Sequence, residues 1–338
     1  MNRIIAVLAL ITAIFFPIKP AFAAQSITLT NVQILNVDTL TISPEQTIVI
    51  RNGHIENVGN SNDITPPKDS VIVDMKGKFV APGLIDAHVH HATEPNGFDN
   101  REDTLKRLRN LLRGGVTSVR DMGGDTRVLS GLARDAMLDQ IQSPDIYYSV
   151  IIGGPTFFTD PRTVASAQGH QAGQVPWMVS ITEETNLDHV MLKAIGTGAT
   201  GIKIYADLPK KLIKPLADAA KKHGLKVWSH VFIGPVKPSG ALSAGVETLS
   251  HAPDLSAEII DDYKQWRRKN MTPNEEQIKQ SFESSSYAAI LKQFKESGAI
   301  LDATMTVFDN YKDRDENTAM RYNHGTLLTK LAKDHGIP

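Results

Sequence analysis

His88 and His90 stand two residues apart in the run Gly83-Leu84-Ile85-Asp86-Ala87-His88-Val89-His90. Side chains two apart on a strand share a face, so both imidazoles are aimed at one point. That is how a strand presents two ligands to a single metal ion. Three later residues have the same character. Lys203 sits between apolar neighbours in Gly201-Ile202-Lys203-Ile204-Tyr205, and His230 and His251 each close a short strand-like segment. Lys203 and His230 are 27 residues apart, and His230 and His251 are 21 apart. Each gap holds one helix, one strand and two loops, which places the three residues on neighbouring strands at a common rim. One strand-end histidine taken alone is more often a hydrogen-bonded structural residue. The matching register of four is what points to a metal site. A lysine facing a barrel interior is costly unless it is paired or chemically changed; the alternative is a side chain that snorkels to solvent.

The elements that must position these residues follow a strand–helix rhythm from residue 83 onward. Strands are expected at 84–90, 117–121, 147–152, 201–205, 226–230, 247–251 and 300–307. Helices are expected at 102–112, 126–138, 183–195, 211–223, 287–296 and 318–335. A polar insertion is expected over 255–284. Such alternation argues for a parallel sheet with right-handed crossovers, and its length for an α/β fold of the (β/α)8 TIM-barrel type. Seven strands are countable, so the barrel is expected to stop short of an eighth. Residues 25–80 alternate in the strand manner around Arg51-Asn52-Gly53-His54, a hairpin signal, and read as a small β-sandwich module. Domain limits are expected at 25–80 for this module and 81–338 for the barrel.

The N-terminus carries Arg3, an apolar stretch from Ile4 to Phe16 and then Ala21-Phe22-Ala23. It reads as a signal peptide over residues 1–23, cleaved after Ala23, which places the protein in the periplasm or outside the cell. Cysteine is absent from the 338 residues, which excludes disulfides, zinc–thiolate sites and a thiol nucleophile. A net charge of −1 gives no electrostatic case for nucleic acid or an anionic membrane as partner.

The segment around His88 and His90, with Gly115-Val116-Thr117-Ser118-Val119-Arg120-Asp121, resembles the amidohydrolase superfamily. It is most similar to its imidazolonepropionase-like branch, which includes metal-dependent dipeptidases acting before a C-terminal proline. The resemblance runs from about Ile27 to the end of the chain. It implies that His88, His90, Lys203, His230 and His251 ligate metal, with Lys203 carboxylated to bridge two ions. Nitrogen and carbamate-oxygen donors without thiolate favour zinc. It implies an activated water attacking an amide carbonyl, with a general base passing the proton to the leaving nitrogen. His170 and Tyr205 are candidate substrate contacts. The implied substrate is a small peptide or N-acyl amino acid. Hydrolysis of a cyclic amide is the alternative within enzymes, and self-association is left open.

The resemblance also implies an aspartate on an eighth strand as general base, and no residue matches it. Asp302 is expected near the start of the seventh strand, at the wrong end of the barrel; Asp309 is a poor substitute, and Asp334 belongs to the last helix. No catalytic residue is therefore assignable. A truncated, non-catalytic relic is the reading from a different class, and the chain alone is expected to be poorly stable and nearly inactive. His91 points away from its neighbours. Arg120 and Asp121 are expected to form an ion pair, and His54, His189, His223, His324 and His335 to lie on the surface or in a hairpin.

Overall fold

The computed structural model describes residues 26–91, 100–261, 263, 265, 276, 277 and 285–338. The expected signal peptide, and most of the expected polar insertion, lie outside the described residues. The chain divides into two compact units, one ending at Pro82 and the other beginning at Gly83.

In the first unit, β1 (Ser26–Asn36) runs antiparallel to β2 (Thr41–Arg51), which runs antiparallel to β3 (His54–Asn60). Asn52 and Gly53 link β2 to β3 at φ +55° and +75°, the left-handed pair that a two-residue turn requires. β4 (Ser70–Asp74) and β5 (Phe79–Val80) both pair parallel with β1. The module expected as a sandwich is, among the described residues, one mixed sheet in the order β3-β2-β1-β4.

The second unit is a near-closed parallel barrel of seven strands. β6 (Leu84–Val89) pairs with β7 (Val116–Asp121), and β7 with β8 (Asp145–Gly153). Two short strands, β9 (Gln174–Val175) and β10 (Met178–Ser180), extend the β8 edge beyond the point where β7 leaves it. The barrel continues through β11 (Gly201–Ile204), β12 (Lys226–His230), β13 (Thr248–Ser250) and β14 (Ile300–Asp302), each parallel to the one before. Alternation explains the layering. Ile202, Ile204 and Val227 join Leu216, Ala217 and Ala220 in the main hydrophobic core, all fully buried. Lys203, between the two isoleucines, takes the other face of β11 and so faces the barrel interior.

The seventh strand departs from expectation. The apolar run 300–307 is a three-residue strand followed by a helix over Met305–Tyr311. Thr304 turns the chain at φ +53°, a conformation that a β-branched residue rarely takes, so sequence pattern could not announce it. The start of the expected polar insertion is also different: Ala252–Glu258 forms a 3-10 turn whose Leu255, Ser256 and Ala257 are buried. His324, expected on the surface, is buried within the helix Glu316–Asp334. The helix expected at 183 begins at Leu187, where the Asn186 side chain accepts from the His189 amide and caps it.

Candidate active site

The strand ends bring the sequence-selected residues together. The ring centres of His88 and His90 are 5.3 Å apart, those of His88 and His251 5.1 Å, and those of His230 and His251 4.8 Å. Tyr205 lies 4.3 Å from His230, centre to centre. His251 stands at φ +82°, a conformation costly for a residue with a Cβ. Its backbone N–H donates to the Asp302 carbonyl at 2.9 Å, which holds it there. His170 is exposed on the loop after β8, 6.5 Å from Trp177 ring to ring, and does not join the cluster.

Asp302 is the residue that sequence reasoning missed. It ends β14 in register with Ser250 of β13, which in turn pairs with His230 of β12. Its Oδ2 lies 2.6 Å from His88 Nδ1, and the same oxygen accepts from Ser250 Oγ at 2.9 Å. The first and seventh barrel strands thus meet through a side-chain bond at the site. The sequence placed Asp302 at the opposite end because the strand was drawn five residues too long. The sequence carries no mark of the strand's end at Asp302, because the apolar run continues to Val307.

Lys203 is fully buried. Its Nζ donates to the Ser229 carbonyl at 3.0 Å and to Ser250 Oγ at 2.5 Å. A continuous chain therefore runs from Lys203 through Ser250 to Asp302 and His88. Arg120 and Asp121 serve different sides of β7. Arg120 donates to the Ala87 carbonyl at 2.7 Å and reaches Asp302 at 3.6 Å, whereas Asp121 accepts from the His91 and Gly123 amides at 2.7 and 3.1 Å. Arg120 thus directs its charge into the site rather than forming the expected pair.

Burial sets the protonation states. It pushes the His88 imidazole down to about 4, against the pull of Asp302. Burial also lowers His90 and His251, the latter well below the ordinary histidine value, with His230 adding to the effect. Burial alone would raise the Asp302 carboxyl, but the hydrogen bond from His88 and the nearby Lys203 hold it below the ordinary aspartate value. An ionised carboxylate only accepts, so the His88 proton is on Nδ1 and the lone pair on Nε2. Lys203 is lowered well below the usual lysine range by the same desolvation.

Two hollows that share lining residues open beside these rings. The larger, about 820 Å³, is lined by His90, Tyr205, His230, Phe157, Arg162 and Asp207. The smaller, about 390 Å³, shares His90, Tyr205, His230 and Arg162 and adds His251 and Arg321. Both volumes suit a small organic ligand. Gly123 lines the larger one, where a Cβ would come within 2.9 Å of the Tyr205 hydroxyl.

As a donor set, neutral imidazoles with one ring nitrogen anchored by a carboxylate suit a divalent ion. Their present arrangement does not gather one: among the described residues, no group of three His, Asp or Glu side chains stands ready to hold a metal. Lys203 as a plain amine, engaged by Ser229 and Ser250, completes no such set.

The sequence pattern of the Amidohydrolase family matches residues 79–321. The enamidase of Eubacterium barkeri is 26% identical over 214 residues, covering 63% of this chain and 51% of that enzyme. The dihydroorotase of Fusobacterium nucleatum is 43% identical over 75 residues, covering 22% of this chain and 16% of that enzyme. The chain thus spans about half the length of the enamidase it matches, and less of the dihydroorotase. Among solved structures, a Xaa-Pro dipeptidase with methionine bound in its active site superposes with a TM-score of 0.65 at 16% identity, covering 93% of this chain and 78% of that one. At that identity the likeness concerns the fold.

Proposed function

The chain belongs to the amidohydrolase family, and from that premise we propose that it hydrolyses the C–N bond of a cyclic amide. The observation that carries the proposal is the convergence of His88, His90, His230 and His251 with buried Lys203 and Asp302 beside one hollow. The likeness to a dihydroorotase supports a ring as substrate. Likeness to a Xaa-Pro dipeptidase in fold keeps a linear peptide within the test.

The residues that would hold a divalent ion, zinc by donor type, are the four histidines and a carboxylated Lys203. Such an ion supplies Lewis acidity and an activated water. The protein's own contributions are distinct from the ion's. Asp302 fixes the tautomer and aim of His88. Burial shifts the Lys203 amine toward its uncharged form, the form that adds to carbon dioxide to give a carbamate and a released proton. Tyr205, in van der Waals range of His230, forms a wall of the substrate hollow.

A second reading is favoured by one observation. The described His, Asp and Glu side chains do not assemble a metal group, which is what a non-catalytic relative would show. Incubation of the purified chain with zinc and bicarbonate, then with cyclic and linear amides, separates the readings. Ring opening of the cyclic amide with little cleavage of alanyl-proline is expected. Preference for the linear substrate would replace the cyclic reading, and no cleavage of either would favour the non-catalytic one.

A further inference from the structure

Two arginines border the hollows, and they are not equivalent. Arg162 is spent on Asp160 through a two-point fork, Nε to Oδ1 at 3.0 Å and Nη2 to Oδ2 at 2.6 Å, and its side chain is 82% exposed. Arg321, on the helix Glu316–Asp334, is 30% exposed and lines the smaller hollow with His90, His230 and His251. Its Nη2 donates to Asp254 Oδ1 at 3.1 Å. Asp254 is itself buried and also accepts from the Tyr263 hydroxyl at 2.9 Å. The guanidinium carbon sits 5.1 Å from the centre of the Phe308 ring. The plane is therefore fixed from two sides, while this bond engages one of its five N–H donors.

We infer that Arg321 is the anchor for a carboxylate on the substrate. A planar, pre-oriented fork beside a small hollow matches carboxylate geometry. Asp254 draws one N–H inward and leaves the rest of the fork for a ligand. The Phe308 face limits the guanidinium's motion and lowers the ordering cost of binding. The substrate class narrows to small amides that carry an acid group within reach of the histidine cluster. This inference rests on the reading that the hollow is the hydrolytic site.

The test uses two matched pairs of probes with the purified full chain. Dihydroorotate and dihydrouracil differ by a ring carboxylate; alanyl-proline and alanyl-prolinamide differ in the same way on a linear frame. Kd values come from titration calorimetry. In at least one pair, the carboxylate member is expected to bind about ten-fold tighter or better, with Arg321→Met shrinking that gap to less than about three-fold. Arg321→Lys, which keeps the charge without the fork, is expected to fall between. Thermal unfolding checks each variant, and Arg321→Gln takes the place of any Met variant that does not fold. The inference is overturned if neither pair shows a gap, if no probe binds, or if the gap survives Arg321→Met. A gap confined to the linear pair would sink the cyclic reading and leave Arg321 in its role.

Discussion

Asp302 gives the site its internal logic. An ionised carboxylate against His88 Nδ1 leaves Nε2 as the nitrogen that can donate a lone pair, and the same oxygen receives the Ser250 hydroxyl that Lys203 also engages. Asparagine at this position would keep the shape and lose the charge. Asp302→Asn is expected to lower kcat by about 10- to 100-fold with KM little changed, the scale typical of carboxylates that orient ligating histidines. Steady-state kinetics on the ring-opening substrate reads this directly, and an unchanged kcat would remove Asp302 from the site's working parts. At this scale the sequence was informative for residues whose spacing repeats. His88 and His90 share a face by strand alternation, and His230 and His251 follow one structural unit apart. Asp302 was hidden because it sits in an apolar run that continues to Val307, and nothing in residue type marks the turn at Thr304. Arg321 was hidden for a different reason: a helix residue meets the site only through packing, which spacing along the chain does not encode.

Single backbone positions decide whether the elements deliver these side chains. Gly154, just past β8, has no room for a side chain: a Cβ there would collide with the Asp207 backbone carbonyl. Its own N–H donates to the Ala206 carbonyl at 2.9 Å, so the loops after β8 and β11 are tied at the wall of the larger hollow. Gly154→Ala is therefore expected to cost about 1–3 kcal/mol, as overpacking does, because backbone rather than a flexible side chain must move. Chemical denaturation of the variant against the parent measures it, and a loss below about 0.5 kcal/mol would contradict the contact. Most elements were legible in the pattern, since β-branched runs bounded by glycine alternate with amphipathic helices. Lys226–His230 is a strand in the sequence reading and in the structure alike. One misread element was the segment after Asp302, where hydrophobic content suits a strand or a helix equally and a left-handed threonine makes the choice.

For the molecule as a whole, the barrel is a device for bringing distant residues to one rim. His88 and Asp302 are 214 positions apart and bonded at 2.6 Å. Along the outer edge of β14, the Pro338 carbonyl accepts from the Leu301 amide at 2.9 Å and Ile337 is buried, so the last described residues lie alongside the seventh strand. Leu84 and Ile85 of β6 and Ile300 of β14 remain exposed, so the gap between these two strands is open at the start of the barrel while Asp302 and His88 close it at the site. The overall class was readable from the strand–helix rhythm. The near-closure was not, because the contacts of Asp302 with His88 and Arg120 join chain segments that no local pattern connects.

The proposed function requires that His88, His90, Lys203, His230 and His251 together hold a divalent ion. Equilibrium dialysis of the purified chain against zinc and bicarbonate, followed by elemental analysis, tests it most directly. The expected result is at least one zinc retained per chain, lost in His230→Ala and reduced in Lys203→Met, while a surface variant such as His54→Ala keeps it. A parent chain that retains no zinc, or a His230→Ala chain that retains as much as the parent, would contradict the account.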